Sequence, residues 1–491
     1  MLLITFLICF NATVLRNMKD AVVVTSSGAE AIPFIKLWVL LPMAFLLTII
    51  FAKLSNRFSQ ERVFYLMTSG FLLFYTLFAF VLYPLRDTLH PHVTADFFET
   101  IFPAGSKGLV SMIRNWTFTG FYVMSELWST IVLNVLYWGF ANEVTRIGEA
   151  RRFYSVFAIG STLATIVAGL TSNFFGQGAD WNQTQISLIL VIVASGMLAM
   201  AIFRWMNCYV LNEPTFHDLH SRINSETQEM SAASAKPKKK KLSLRESFSY
   251  LSNSKYLICI AILVVSYNLV INLVEVVWKD QVRQLYPSPS DYNTYINNVT
   301  SVMGFLSLMT ALFMARIINR FGWTGTAMIT PVILLITSVG FFSFFLFQDS
   351  LAGIVALAGM TPLAIAVFFG SAQNAFSKAA KYSVFDATKE MAFIPLSHEC
   401  KLKGKAAIDG VGSRLGKSGG SFIHMGLLMI FVTLNNSAPY VGVVLMIAIV
   451  FWLFAVKVLG KQFNELVASQ ETPAPSATQA PLELQPVPAK S

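Results

Sequence analysis

Twelve apolar runs, most of them long enough to cross about 30 Å of hydrocarbon as a helix, follow one another along almost the entire chain. Within a bilayer the backbone must satisfy its own hydrogen bonds, so each run reads as a transmembrane helix. They are expected near 1–15, 37–51, 63–85, 117–140, 153–175, 186–205, 256–278, 299–318, 327–347, 351–389, 406–434 and 440–457. The first is short, so its helix either continues past Arg16 to Lys19 or begins upstream of Met1. Composition agrees, because 55% of the 491 residues are apolar, only 13% are charged and mean hydropathy is +0.59. The expectation is an all-α membrane protein.

The chain also repeats itself. FNATVLRNMKD ends at Lys19-Asp20, and INLVEVVWKD ends about 260 residues later at Lys279-Asp280. Each is followed by an apolar helix that closes on Asn-Arg-Phe, at Asn56-Arg57-Phe58 and at Asn319-Arg320-Phe321. The repeat divides the chain into a six-helix bundle at 1–210 and a second at 254–462. Between them lies a basic linker, 211–253, and after them a tail, 463–491, whose Pro, Ala and Gln content predicts disorder.

The formal charge of +10 could mean nucleic acid in a soluble protein, but its distribution says otherwise. With the amino terminus inside, most of the 36 lysines and arginines fall on the inner side, as the positive-inside rule expects. Both termini are then cytoplasmic. The run at 236–241 reads as a solvated orientation signal in reach of anionic lipid.

Other chemistry finds little support. Cys9, Cys208, Cys259 and Cys400 are isolated, and His90, His92, His217 and His220 read as surface histidines without a third ligand. Gly412 to Gly420 resembles a phosphate loop, but GxxxxGK[ST] would need glycine at Val411, and no strand precedes it. Those glycines, Gly412, Gly416, Gly419 and Gly420, instead suggest a small-residue face on one long helix from 404 to 434. No nucleophile and base arrangement marks an enzyme.

Ionisable residues inside membrane helices are costly to keep and commonly line a path for something polar. Near or within spans stand Arg16, Lys19, Lys36, Glu126, Glu275, Lys279, Lys381, Lys389 and Lys417. Cations outnumber anions, which points to an anionic solute. Lys19 and Lys279 lie beside aspartates at the expected helix ends, so a salt bridge to Asp20 or Asp280 competes with a solute role. Glu126 and Glu275 are either counter-charges for lysines, proton sites or structural ion-pair members. On the tenth run, Asn374, Lys378, Lys381, Phe385 and Lys389 recur at helical spacing, a face suited to a nucleotide with its base against the Phe385 ring. Either this polar stretch belongs to the span, or the span ends near Asn374 and a connector follows.

The strings LRNMKDAVVVTSSGAEAIPFIKLW, YVMSELWSTIVLNVLYWGFANEVT, INLVEVVWKD, KYSVFDATKEMAFIPL and KGKAAIDGVGSRLGKSGG closely resemble the nucleotide transporter family, the ATP:ADP antiporters of obligate intracellular bacteria and plastids. The resemblance implies exchange of ATP for ADP across a membrane by alternating access, without hydrolysis, cofactor or metal. It carries functional positions onto Lys36, Glu126, Glu275 and, by spacing, Lys417. The chain departs from the family pattern at Ala12 and at Gly148. No Ser- and Arg-rich leader is present, so a bacterial inner membrane is expected rather than a plastid. The partners implied are ATP, ADP and membrane lipid, with no nucleic acid, and the chain is expected to be monomeric. Two six-helix halves joined by an inner loop resemble the major facilitator architecture. A proton-coupled importer of several nucleoside triphosphates is the alternative.

Overall fold

The computed structural model describes residues 1–144, 147–178, 180–210, 254–356, 359–396, 404–405, 408 and 412–471. Twelve long helices dominate them. The first half holds α1 (Leu2–Ser27), α2 (Ala31–Arg57), α3 (Gln60–Leu82), α4 (116–144), α5 (Ile147–Gly176) and α6 (Trp181–Tyr209). The second holds α7 (Lys255–Leu285), α8 (289–321), α9 (323–346), α10 (362–393), α11 (Ser413–Phe431) and α12 (Leu434–Glu471). Among the described residues nine helices are long and apolar enough to cross a membrane on those grounds alone. The other three, α4, α10 and α11, each carry residues singled out by their charge. The linker at 211–253 and residues 472–491 lie outside the described residues, and α12 runs past the bundle boundary expected at 462.

Local chemistry explains the boundaries. α1 stops at Gly28, whose φ of +86° is a conformation that side chains with a Cβ resist. Ser254 caps α7, its Oγ accepting from the Leu257 N–H, and Thr361 caps α10 in the same way for Ala364, with Pro362 at the first helical position. α8 and α9 are the two parts of Pro289–Leu346, divided at Gly322, where φ is +65° just after the repeated Asn-Arg-Phe.

Two expectations change here. α1 continues through Arg16, Lys19 and Asp20 to Ser27, so Lys19 lies inside the helix and not at its end. Lys279 is likewise interior to α7, which runs on to Leu285. The polar stretch of α10 is helical throughout, with Pro362–Ala380 leading through a π-helical turn, Lys381–Phe385, into Asp386–Phe393. The expected run from 351 is broken, since Gln348–Ala356 is a separate helix.

α1 and α7 are the most buried of the long apolar helices and occupy equivalent places in the two halves. α1 packs on α4, α5 and α6, and α7 packs on α10, α11 and α12. Between halves, α5 and α1 meet α8, while Ala31–Phe34 and Ala104–Ser106 meet the far end of α11. These contacts are tight enough to demand glycine. A Cβ on Gly105 would collide with the Leu428 carbonyl oxygen, and one on Gly169 would collide with Ser301 Oγ. The halves are thus pressed together at the end that holds Ser27, away from the amino terminus. The outer flanks expose apolar side chains such as Leu73, Phe174, Ile430 and Phe454, as a lipid-facing surface does.

The small-residue face on α11 is only partly realised. Cβ atoms on Gly416 and Gly420 would meet Asn268 and Asn272 of α7 at 2.7 and 2.8 Å, whereas Gly419 has nothing within 4 Å. Gly412 is buried just before the helix.

Candidate functional site

The first and fourth helices of each half converge on one buried cluster of charge. α1 supplies Lys19 and Asp20, α4 supplies Glu126, α7 supplies Glu275 and Lys279, and α10 supplies Lys378; α2 adds Lys36. Asp20 is the bridge, because its Oδ1 lies 2.7 Å from Lys19 Nζ and its Oδ2 lies 2.9 Å from Lys279 Nζ of the other half. Lys19 also reaches Glu126 at 3.0 Å and stands 3.9 Å above the Tyr122 ring centroid, one turn earlier on α4. Glu275 gathers three cations, Lys279 at 3.2 Å, Lys378 at 3.5 Å and Lys36 at 4.0 Å. Lys36 donates to Asn272 Oδ1 as well, at 3.2 Å.

Lys19, Asp20 and Lys279 are almost fully buried. Taking such groups out of water costs several kcal/mol each unless partners repay it, and the chain of alternating charges is that compensation. Four lysines face three carboxylates, so the cluster keeps a surplus of positive charge. A narrow cleft opens against it, lined on the charged side by Arg16, Asp20, Glu275, Lys279 and Lys378. Beside it an amide string crosses the halves, with Asn17 Nδ2 donating to Asn297 Oδ1 at 2.7 Å and Thr300 Oγ1 donating to Asn17 Oδ1 at 3.3 Å.

The expected residues divide into three groups. Lys19, Lys36, Glu126, Glu275 and Lys279 are brought together, and Asn374 lines the cleft. Lys417 is exposed on the first turns of α11, and Lys381 lies at the start of the π-helical turn, one turn beyond Lys378. Phe385 and Lys389 are not brought to the cleft. Phe385 is buried, stacked on Tyr267 at 4.5 Å and edge-on to Trp452 at 5.7 Å, and Lys389 pairs with Glu390 at 3.4 Å. The face assumed an unbroken α-helix, but a residue absorbed by the π turn rotates the rest of the helix by about 100°. The duplicated Lys-Asp pairs also differ: Asp280 turns away to Arg283 and Gln284 at 3.0 and 2.9 Å, so Lys279 bridges to Asp20.

The sequence did not place Asp20, Asn17 or Tyr122 among the site residues, whereas Lys378 stood on the nucleotide face expected of the tenth run. The spacing Glu275-x-x-x-Lys279 was a usable signal, as was Tyr122-x-x-x-Glu126. His90, expected at the surface, is buried with its ring 2.7 Å from Thr117 Oγ1, and burial lowers its pKa. His217 and His220 lie outside the described residues.

Among the described residues, twelve long helices in two equivalent halves, with polar residues gathered where the halves meet, form a bundle with the fold of major facilitator transporters. The xylose transporter XylE from E. coli, in its inward open conformation, superposes with a TM-score of 0.53 over 95% of this chain and 98% of its own, at 12% identity, a likeness of fold alone. Residues 1–463 match the family described as TLC ATP/ADP transporter, and the chain belongs to that family. It is 43% identical to ADP,ATP carrier protein 1 of Chlamydia muridarum, covering 98% of this chain and 91% of the relative. It is 40% identical to the chloroplastic ADP,ATP carrier protein 1 of Arabidopsis thaliana, covering 96% and 74%.

Proposed function

We propose that the chain exchanges ATP for ADP across a bacterial inner membrane, with the cluster between the halves as the place where phosphates bind. The observation that carries this reading is the surplus of lysines around Asp20, Glu126 and Glu275 at the junction of a family member's two halves. Phosphate oxygens can share several ammonium groups, and charge-assisted hydrogen bonds of this kind are about twice as strong as neutral ones. In the structure Glu126 and Glu275 hold the lysines; a bound nucleotide competes with both for them. Loaded and empty states then differ in charge balance, which lets an exchanger reorient loaded and resist reorienting empty. With both termini cytoplasmic, the pressed end faces outward, and Lys381 and Lys417 stand toward the cytoplasmic mouth.

The test is counterflow into liposomes bearing the purified protein. Labelled ATP should enter only when ADP or ATP is loaded inside, and a pH gradient should not replace the internal nucleotide. Accumulation driven by the pH gradient in empty liposomes would overturn exchange in favour of a proton-coupled importer.

A further inference from the structure

The cleft also has apolar lining that phosphates do not need. Beside the charges the cleft is also lined by Trp278, Ile296, Val299 and Met303, with Asn374 among them. Asn374 is 5% exposed, and its Oδ1 accepts no hydrogen bond among the described residues. A buried acceptor left unpaired is costly, and one on a residue that lines a cleft can be satisfied by a donor from whatever fills it. Trp278 is held in place, because its Nε1 donates to Ser371 Oγ at 3.1 Å and its Cδ1 sits so close to Gly370 that a Cβ there would collide with it. Gly370, Asn374 and Lys378 follow one another at four-residue intervals on α10, about 6 Å per step along one stripe. The stripe presents an aromatic ring, then an amide acceptor, then a cation.

We propose that this stripe reads a nucleotide from base to phosphate. The base lies against Trp278 and the apolar wall, its exocyclic amino group donates to Asn374 Oδ1, and the phosphates run on to Lys378. The inference rests on the nucleotide reading above and names the residues that select the base. Adenine fits, since an Asn amide accepts from its N6 amino group and donates to the adjacent ring nitrogen. The base wall is therefore Trp278 and its neighbours, not the Phe385 ring that the sequence favoured.

The experiment is competition against labelled ATP binding to the purified transporter by three unlabelled compounds: ATP, its 6-desamino analogue and inorganic tripolyphosphate. Wild type should prefer ATP over the desamino analogue by about tenfold, the scale of one satisfied against one orphaned hydrogen bond. Asn374→Leu, and Asn374→Ala as a smaller truncation, should bind the two nucleotides equally while tripolyphosphate competes as before. Lys378→Gln should weaken all three and keep the tenfold ratio. A ratio unchanged in both Asn374 variants would overturn the proposal, as would loss of tripolyphosphate competition in them, which would mark a structural role. A wild type that binds ATP without the preference would overturn it too. Competition by none of the three in wild type would instead overturn the nucleotide reading itself.

Discussion

Asp20 shows how much a single carboxylate can hold. It neutralises Lys19 on its own helix and Lys279 on the other half, at 2.7 and 2.9 Å, while buried from water. Removing one member of a buried ion pair strands the other, at a cost of about 3–5 kcal/mol. Asp20→Ala should therefore lower the melting temperature of the detergent-solubilised protein well below wild type. Lys279→Met added to Asp20→Asn should recover most of the loss, because Lys19 keeps Glu126, and Glu275 keeps Lys36 and Lys378. Equal melting of Asp20→Ala and wild type would show that the bridge contributes nothing to stability. The residue types at this site were legible in the sequence, since buried charge in greasy helices is rare enough to notice. Their wiring was not: two copies of Lys-Asp look alike in a string, yet only one aspartate lies between the halves, and Asp280 spends its oxygens on Arg283 and Gln284.

Helices were legible for a different reason. A bilayer imposes a minimum length on apolar runs, so most of the twelve helices could be read from hydropathy. What escaped was backbone register within a helix. The π-helical turn Lys381–Phe385 leaves no mark on composition, yet it sends Phe385 into the ring cluster with Tyr267 and Trp452. Glycine spacing on α11 was similarly half informative: the four glycines share an arc of about 100° on a helix of 3.6 residues per turn, yet Gly419, at its edge, meets no neighbour. Gly416→Ala should force α7 and α11 apart, as its Cβ would lie 2.7 Å from Asn268 Cβ and 2.8 Å from the Val265 carbonyl oxygen. Overpacking of this kind costs about 1–3 kcal/mol. Gly419→Ala, with open space around it, should melt like wild type or slightly higher, since alanine is the better helix former. Identical melting of the two variants would remove the distinction drawn between these glycines.

At the scale of the whole molecule, alternating access requires the contacts at the pressed end to come apart. Gly169 against Ser301 and Gly105 against Leu428 allow the halves to approach so closely that larger side chains would hold them open. Gly169→Leu should bias the protein toward separation at that end. Spin labels at Thr100 and Asn436, both exposed there on opposite halves, should report a longer distance in the variant, and counterflow should slow. An unchanged distance would mean that α5 and α8 do not form the closing contact. The bridge from Asp20 to Lys279 has a consequence for inheritance as well. A gene duplication yields two copies free to drift apart, but once a carboxylate of one copy neutralises an ammonium of the other, a change in charge on either side is harmful alone. The two repeats can then vary at these positions only together, so that what began as a pair of interchangeable halves descends as a single unit.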